Sequence, residues 1–205
     1  MATAMIGQSR IAHRRKQAES GFSLIEVVIS MAVLTVGLVS LLGVFGLAMA
    51  STQTSQEDMI AKQLSNEAYE SIVTARNTSQ LGWDDLQNVG STNCPNTGAS
   101  SCGIFVSGAS QIYQAGPDGI YGTSDDSGVR QTLKDPGPDG IFGTSDDITL
   151  PLNGYTRTIQ ITPVYDSLGN LVSSLRSVTI TMQYYTPQMK LQKSYTLNSY
   201  ISQFQ

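Results

Sequence analysis

Histidine is almost missing: the chain of 205 residues has one, His13, and it precedes the first long apolar run. No nucleophile has a visible base partner, and the paired acids sit in glycine-rich loops. General acid–base catalysis needs fixed geometry, so no enzyme is expected and no catalytic residue is assigned. Cysteine is nearly as scarce, with only Cys94 and Cys102, in Cys94-Pro-Asn-Thr-Gly-Ala-Ser-Ser-Cys102. One pair without histidine is a poor zinc set, which normally takes four ligands. The turn-rich spacer lets the two thiols meet, so an exported domain would hold them as a disulfide; a redox role is the lesser reading. Bases are also few, 12 Lys or Arg against 16 Asp or Glu, with no basic stripe interleaved with aromatics. Nucleic acid, whose binding is driven by phosphate neutralisation, is not an expected partner. Proline is absent from Phe22 to Asn77, so nothing there forbids a continuous helix.

What the sequence has instead is Gly21-Phe22-Ser23-Leu24-Ile25-Glu26 and then an uncharged apolar stretch, Val27 to Ala50. As a helix these 24 residues extend roughly 36 Å, against a bilayer core of about 30 Å. The cluster His13-Arg14-Arg15-Lys16 lies before the stretch, which predicts a cytoplasmic amino terminus. A secretory signal peptide would explain the basic start, with Ala48-Met49-Ala50 as a cut site, but its apolar core is about 7–15 residues and does not open with an acid. A plain anchor explains the length but neither Gly21 nor Glu26. A carboxylate in hydrocarbon costs several kcal/mol unless partnered. Cleavage after Gly21 would create a partner, the free amine of Phe22 on the same or a neighbouring copy.

The segment GFSLIEVVISMAVLTVGLVSLL resembles the amino-terminal signature of type IV prepilins and type II secretion pseudopilins. The resemblance covers about residues 10 to 50. It implies that a prepilin peptidase cuts between Gly21 and Phe22 and methylates Phe22, and that Glu26 serves filament assembly. It also implies other pilin or pseudopilin subunits as partners. The chain would begin as a single-pass inner-membrane protein with an exported head, then enter a pilus or pseudopilus at the cell surface or in the periplasm. On this reading 1–21 is a leader, 22–50 the membrane or filament-core half of a long helix, and 51–205 the head. Without the leader, 8 Lys or Arg face 15 Asp or Glu, a formal charge of −7.

In the head, residues 51–76 stay helical but become amphipathic: Ile60, Leu64, Ala68, Ile72 and Ala75 recur every three or four positions. Gly37, Gly43 and Gly46 are weak points earlier in the helix, each costing about 1 kcal/mol relative to Ala. They read either as sites of close packing or as places where the helix stretches in a filament. Residues 77–110 read as loop with the disulfide and a short strand at Ile104 to Val106, and Trp83 as a packing anchor over the helix. From 148 to 203 the period is two. Tyr155, Ile159, Ile161 and Tyr165 share a face; Val178, Ile180, Met182 and Tyr184 share the next; Tyr195, Leu197 and Ile201 the last. Turns at Ser167-Leu-Gly169-Asn170 and Thr186-Pro187-Gln188 separate them. The expected fold is α+β: a long N-terminal helix whose amphipathic half covers the apolar face of a small antiparallel sheet, an arrangement that also resembles the pilin head.

One repeat completes the sequence. Gly116-Pro-Asp118-Gly-Ile-Tyr-Gly-Thr-Ser-Asp125-Asp126 returns 21 positions later as Gly137-Pro-Asp139-Gly-Ile-Phe-Gly-Thr-Ser-Asp146-Asp147, with ten of eleven residues identical. Seven acids and two bases, Arg130 and Lys134, lie between 116 and 147. Close carboxylate pairs repel by about 1 kcal/mol in water, and a hard cation removes that cost. Calcium takes six to eight oxygens, including carbonyls that glycine-rich turns bring into range, so Asp118, Asp125, Asp126, Asp139, Asp146 and Asp147 are its candidate ligands. The spacing does not fit an EF-hand; it resembles the Gly-Asp-rich calcium loop of major pseudopilins, where one such loop is usual. Solvated Pro-Asp-Gly turns are the competing reading. The inserted repeats and disulfide loop suggest a minor subunit. A membrane-anchored calcium-dependent adhesion module using the two loops is the alternative function.

Overall fold

The computed structural model describes residues 21–126, 128–186 and 191–204. The basic cluster 13–16, the rest of the leader before Gly21, and most of the 186–188 turn lie outside them. The chain divides into two units, residues 1–47 and 48–205, taken separately below.

One helix, α1, spans Leu24–Asn77. Ser23 closes its first turn, its carbonyl accepting from the amides of Glu26 (3.0 Å) and Val27 (3.2 Å). In the first unit the side chains are exposed all round, and the helix is long and apolar enough to be a candidate membrane span. Its few hydroxyls turn back on the helix: Ser30 Oγ donates to the Glu26 carbonyl at 2.7 Å and Ser40 Oγ to that of Val36 at 2.8 Å. That pairing leaves no hydroxyl donor to be desolvated alone. A Cβ at Gly37, Gly43 or Gly46 would meet nothing within 4 Å, so no packing inside this unit requires glycine there.

In the second unit the amphipathic stripe does what its spacing predicts. Ala61, Leu64, Ser65, Ala68, Ile72 and Ala75 are buried on one face of α1. They cover a four-stranded antiparallel sheet of order β1-β4-β5-β6, made of β1 (Ser110–Gln111), β4 (Tyr155–Tyr165), β5 (Leu171–Thr186) and β6 (Leu191–Ser202). Val178, Ile180, Met182 and Tyr184 of β5 face inward and are buried, with Ile159 and Ile161 of β4. Tyr165 departs from the expected face and is 60 % exposed. The register shifts between Pro163 and Val164, which reverses the inward parity beyond that point. The short strand expected at 104–106 is instead a crossing point: Phe105 bridges Asn88 on one side and Thr123 on the other. Ile148 does not open the meander. It belongs to β3 (Ile148–Pro151), which pairs only with β2 (Thr132–Asp135) in a separate ribbon.

The loop region is ordered by side chains. Trp83 is buried, its indole N–H donating to the Ser173 carbonyl at 3.1 Å, with the guanidinium of Arg176 4.7 Å from the ring centroid. Cys94 and Cys102 are joined, with Cα atoms 6.0 Å apart. Asp84 holds that loop in place by accepting from the amides of Thr97 (2.7 Å) and Asn96 (3.0 Å) and from the Thr97 hydroxyl (2.8 Å). Burial pushes the Asp84 carboxyl up, but these hydrogen bonds outweigh it and leave it below the usual range.

Candidate functional site

Two places carry the chemistry. The first is the entrance of α1. Phe22 is exposed, and a Cβ at Gly21 would meet nothing within 4 Å. No packing among the described residues therefore demands glycine at 21. Glu26 lies in the first turn. Among the described residues its carboxylate has no hydrogen bond or ion pair within the chain. An acid there complements the helix dipole, but that is worth about 0.3–1 kcal/mol, less than the several kcal/mol that an unpartnered carboxylate costs in hydrocarbon. Local helix chemistry does not account for Glu26.

The second place is the pair of repeated loops. Each closes on itself through the same hydrogen bonds. In the first copy Asp118 Oδ1 accepts from the Ile120 amide (2.8 Å), Asp125 Oδ1 from the Thr123 hydroxyl (2.5 Å) and Asp126 Oδ2 from the Gly122 amide (3.0 Å). In the second, Asp139 accepts from Ile141 (2.8 Å), Asp146 from Thr144 (2.6 Å) and Asp147 from Gly143 (2.7 Å). A side chain on Gly116 would collide with the Asp125 carbonyl, and one on Gly137 with that of Asp146. The glycines are needed because the loop ends approach that closely. Hydrogen bonding to Thr123 and to Thr144 holds the Asp125 and Asp146 carboxyls low. Among the described residues no three acid, imidazole or thiolate side chains converge into a cation site. The oxygen chemistry suits a hard cation, while the geometry is that of carboxylates occupied by their own loop.

The copies differ in what they touch. The first is sewn into the core. Ile120 is 2 % exposed, Gly122 abuts the Ile159 side chain, and the Tyr121 hydroxyl donates to Glu67 of α1 at 2.6 Å. Burial first, then Glu67, pushes the Tyr121 phenol up to about 12. Beneath it lies Arg157, 1 % exposed, its guanidinium 4.6 Å from the Tyr121 ring centroid. Burial pulls the Arg157 pKa down, and Asp126, Glu67 and Tyr121 support the charge. Asp126 is pushed up by its own burial, a rise that the Gly122 amide and Arg157 partly offset. Arg157 was passed over in the sequence because a charged residue breaks the apolar pattern. Its signal was parity: it alternates with Tyr155 and Ile159 on the inward face.

A helix apolar all round in one unit and a head helix laid on an antiparallel sheet in the other define a pilin-like α+β protein with a candidate membrane-spanning helix. Residues 16–42 match the family model described as the prokaryotic N-terminal methylation motif. The chain thus carries the processing motif of the type IV prepilins and pseudopilins, whose members are structural subunits. The chain has no significant match among curated proteins, and none among solved structures.

Proposed function

We propose that the chain is a structural and assembly subunit of a type IV pilus or related pseudopilus. In this reading it is inserted in the inner membrane with its head exported, cut after Gly21 by a prepilin peptidase, and methylated on Phe22. The observation that carries the reading is the match at residues 16–42. It is supported by a glycine at 21 that no packing among the described residues needs and a Glu26 with no partner among them. Co-expression with a prepilin peptidase is expected to give a mature chain starting at N-methylated Phe22, lighter by the first 21 residues, by mass spectrometry. A mature start at Ser51 would identify a secretory signal instead.

Two finer features belong to the proposal. The disulfide loop and the duplicated hairpin favour a minor subunit, measured as its ratio to the main subunit in purified filaments. Calcium is proposed for the repeated loops on their donor chemistry and duplication, with Asp118, Asp125 and Asp126 holding it in the first and Asp139, Asp146 and Asp147 in the second. A cation bound only by the folded state adds about 2.7 kcal/mol at a hundredfold excess over Kd. Millimolar calcium is expected to raise the melting temperature of the full chain in detergent. The combined variant D118N, D125N, D139N and D146N is expected not to respond. If the loops are only hydrogen-bonded turns, neither protein shifts.

A further inference from the structure

Asn153-Gly154 is the one Asn-Gly step in the chain, and every other asparagine precedes a residue that carries a side chain. The step forms the tip of a turn between the two sheets, linking β3 to β4 and closed by the Tyr155 amide donating to the Leu152 carbonyl at 3.1 Å. Asn-Gly suits turns whose central residues have positive φ, yet neither residue has a positive φ here. A Cβ on Gly154 would meet nothing within 4 Å. Neither conformation nor space in this turn calls for glycine.

What the pair lacks is restraint. Leu152 and Tyr155 on either side are buried, but Asn153 and Gly154 are both exposed. Among the described residues the Asn153 carboxamide makes no hydrogen bond, and the Gly154 amide donates to nothing. A backbone amide in that position can attack the side chain before it. Hydroxide removes the Gly154 amide proton, the nitrogen bonds to Asn153 Cγ, and the Cγ–Nδ2 bond breaks with release of ammonia. The resulting succinimide takes up water at either of its two carbonyls, giving aspartate or isoaspartate. Glycine makes the step fast, because no side chain shields the attacking nitrogen. The repeated loops supply the contrast. Asp118-Gly119 and Asp139-Gly140 can close the same ring by loss of water. There the glycine amides donate to the Gly116 (3.0 Å) and Gly137 (3.3 Å) carbonyls, and the carboxylates accept from Ile120 and Ile141, each at 2.8 Å. Nucleophile and electrophile are both held in those loops; at 153 neither is.

We propose that Asn153 is a site of spontaneous modification, converting through a succinimide with Gly154 to aspartate and isoaspartate. Each chain thereby gains one negative charge at the β3–β4 turn as it ages, and the modified fraction records that age. Isoaspartate also routes the main chain through the side-chain carbons. That lengthens it by a methylene between the buried Leu152 and Tyr155 and loosens the hydrogen bond that closes the turn. The chemistry needs only the folded head and water, whatever the chain assembles into.

The test incubates the full chain in detergent at about pH 8.5 and follows it by mass spectrometry of tryptic peptides. The peptide from Asp135 to Arg157 holds Asn153 as its only carboxamide side chain, so a mass gain from exchange of amide nitrogen for oxygen reports that residue alone. Conversion is expected to be at least tenfold faster there than at any other asparagine, and to give two chromatographically distinct products. It is expected to slow as pH falls, because hydroxide generates the nucleophile. Gly154→Ala is expected to slow it at least tenfold without moving the melting temperature. Conversion at Asn153 no faster than elsewhere, or a rate that Gly154→Ala leaves unchanged, overturns the assignment. A single aspartate product would mean direct hydrolysis of the carboxamide, and overturns it as well.

Discussion

Glu26→Gln is expected to be cleaved after Gly21 at the wild-type rate yet to enter filaments at least tenfold less. The substitution keeps the shape and removes the charge, and the proposed cut after Gly21 lies five residues earlier in the sequence. On the proposed reading, the Phe22 amine of the same or a neighbouring copy is the cation available to Glu26 in an assembled bundle. Removing one partner of a desolvated pair costs about 3–5 kcal/mol, and tenfold corresponds to about 1.4 kcal/mol, so tenfold is a floor. The measurement is the amount of chain in sheared or affinity-purified filaments, normalised to processed chain in the membrane. Equal incorporation of the Gln variant would reduce Glu26 to a helix-dipole residue. That outcome is physically coherent, since an acid in the first turn stabilises a helix whatever else it does.

Arg157→Ala is expected to cost the head about 0.5–3 kcal/mol at neutral pH, by unfolding of the full chain in detergent. The loss is moderate because among the described residues the guanidinium makes no ion pair, and its Nε and one Nη have no hydrogen-bond partner. Two losses combine. The stacked guanidinium leaves a cavity beneath Tyr121, and Asp126 loses a positive neighbour. The pH dependence separates the two. The Asp126 carboxyl already titrates above its usual range, chiefly because it is buried, and without Arg157 it rises further. A carboxyl raised in the folded state destabilises when ionised, and the penalty is relieved as pH falls through its folded value. The deficit of the variant is therefore expected to shrink on going from pH 7 toward pH 4. Arg157→Met, which refills much of the volume, is expected to recover part of the loss at pH 4 and less at pH 7. Exchange of the Ile120 to Thr123 amides should quicken first, because that loop is what Arg157 supports.

These two residues mark where the sequence could and could not be read. The apolar stripe of α1 and the period-two face of β5 were legible because burial is repeated along a regular element: Ala68, Ile72, Val178, Ile180 and Met182 all lie inward. Parity failed at Tyr165, where a register shift past Pro163 inverts the sides. At Arg157 parity held, and the charge of the side chain hid an inward position. Asp84 was illegible for another reason. Its role depends on Asn96 and Thr97, a dozen residues on, in a loop with no period to betray the contact. The repeated loops were visible as a duplication, but identical residues said nothing about which copy would be seated and which exposed. Neighbours decide that: Glu67, Ser71 and Gln131 stand around Tyr121, and Phe142 has no counterpart to them.

The self-closed loop also says something about how this head can change over generations. A segment whose turns, carboxylates and amides satisfy one another within eleven residues carries its own folding instructions. Copied beside itself, it asks nothing of the surrounding core and leaves the original seat intact. The tip of the second copy is exposed, so a change there, such as between Phe and Tyr at 142, costs the rest of the fold little. The head can thus acquire new surface in units of one loop, by insertion rather than redesign, while α1 and the four-stranded sheet stay as they are.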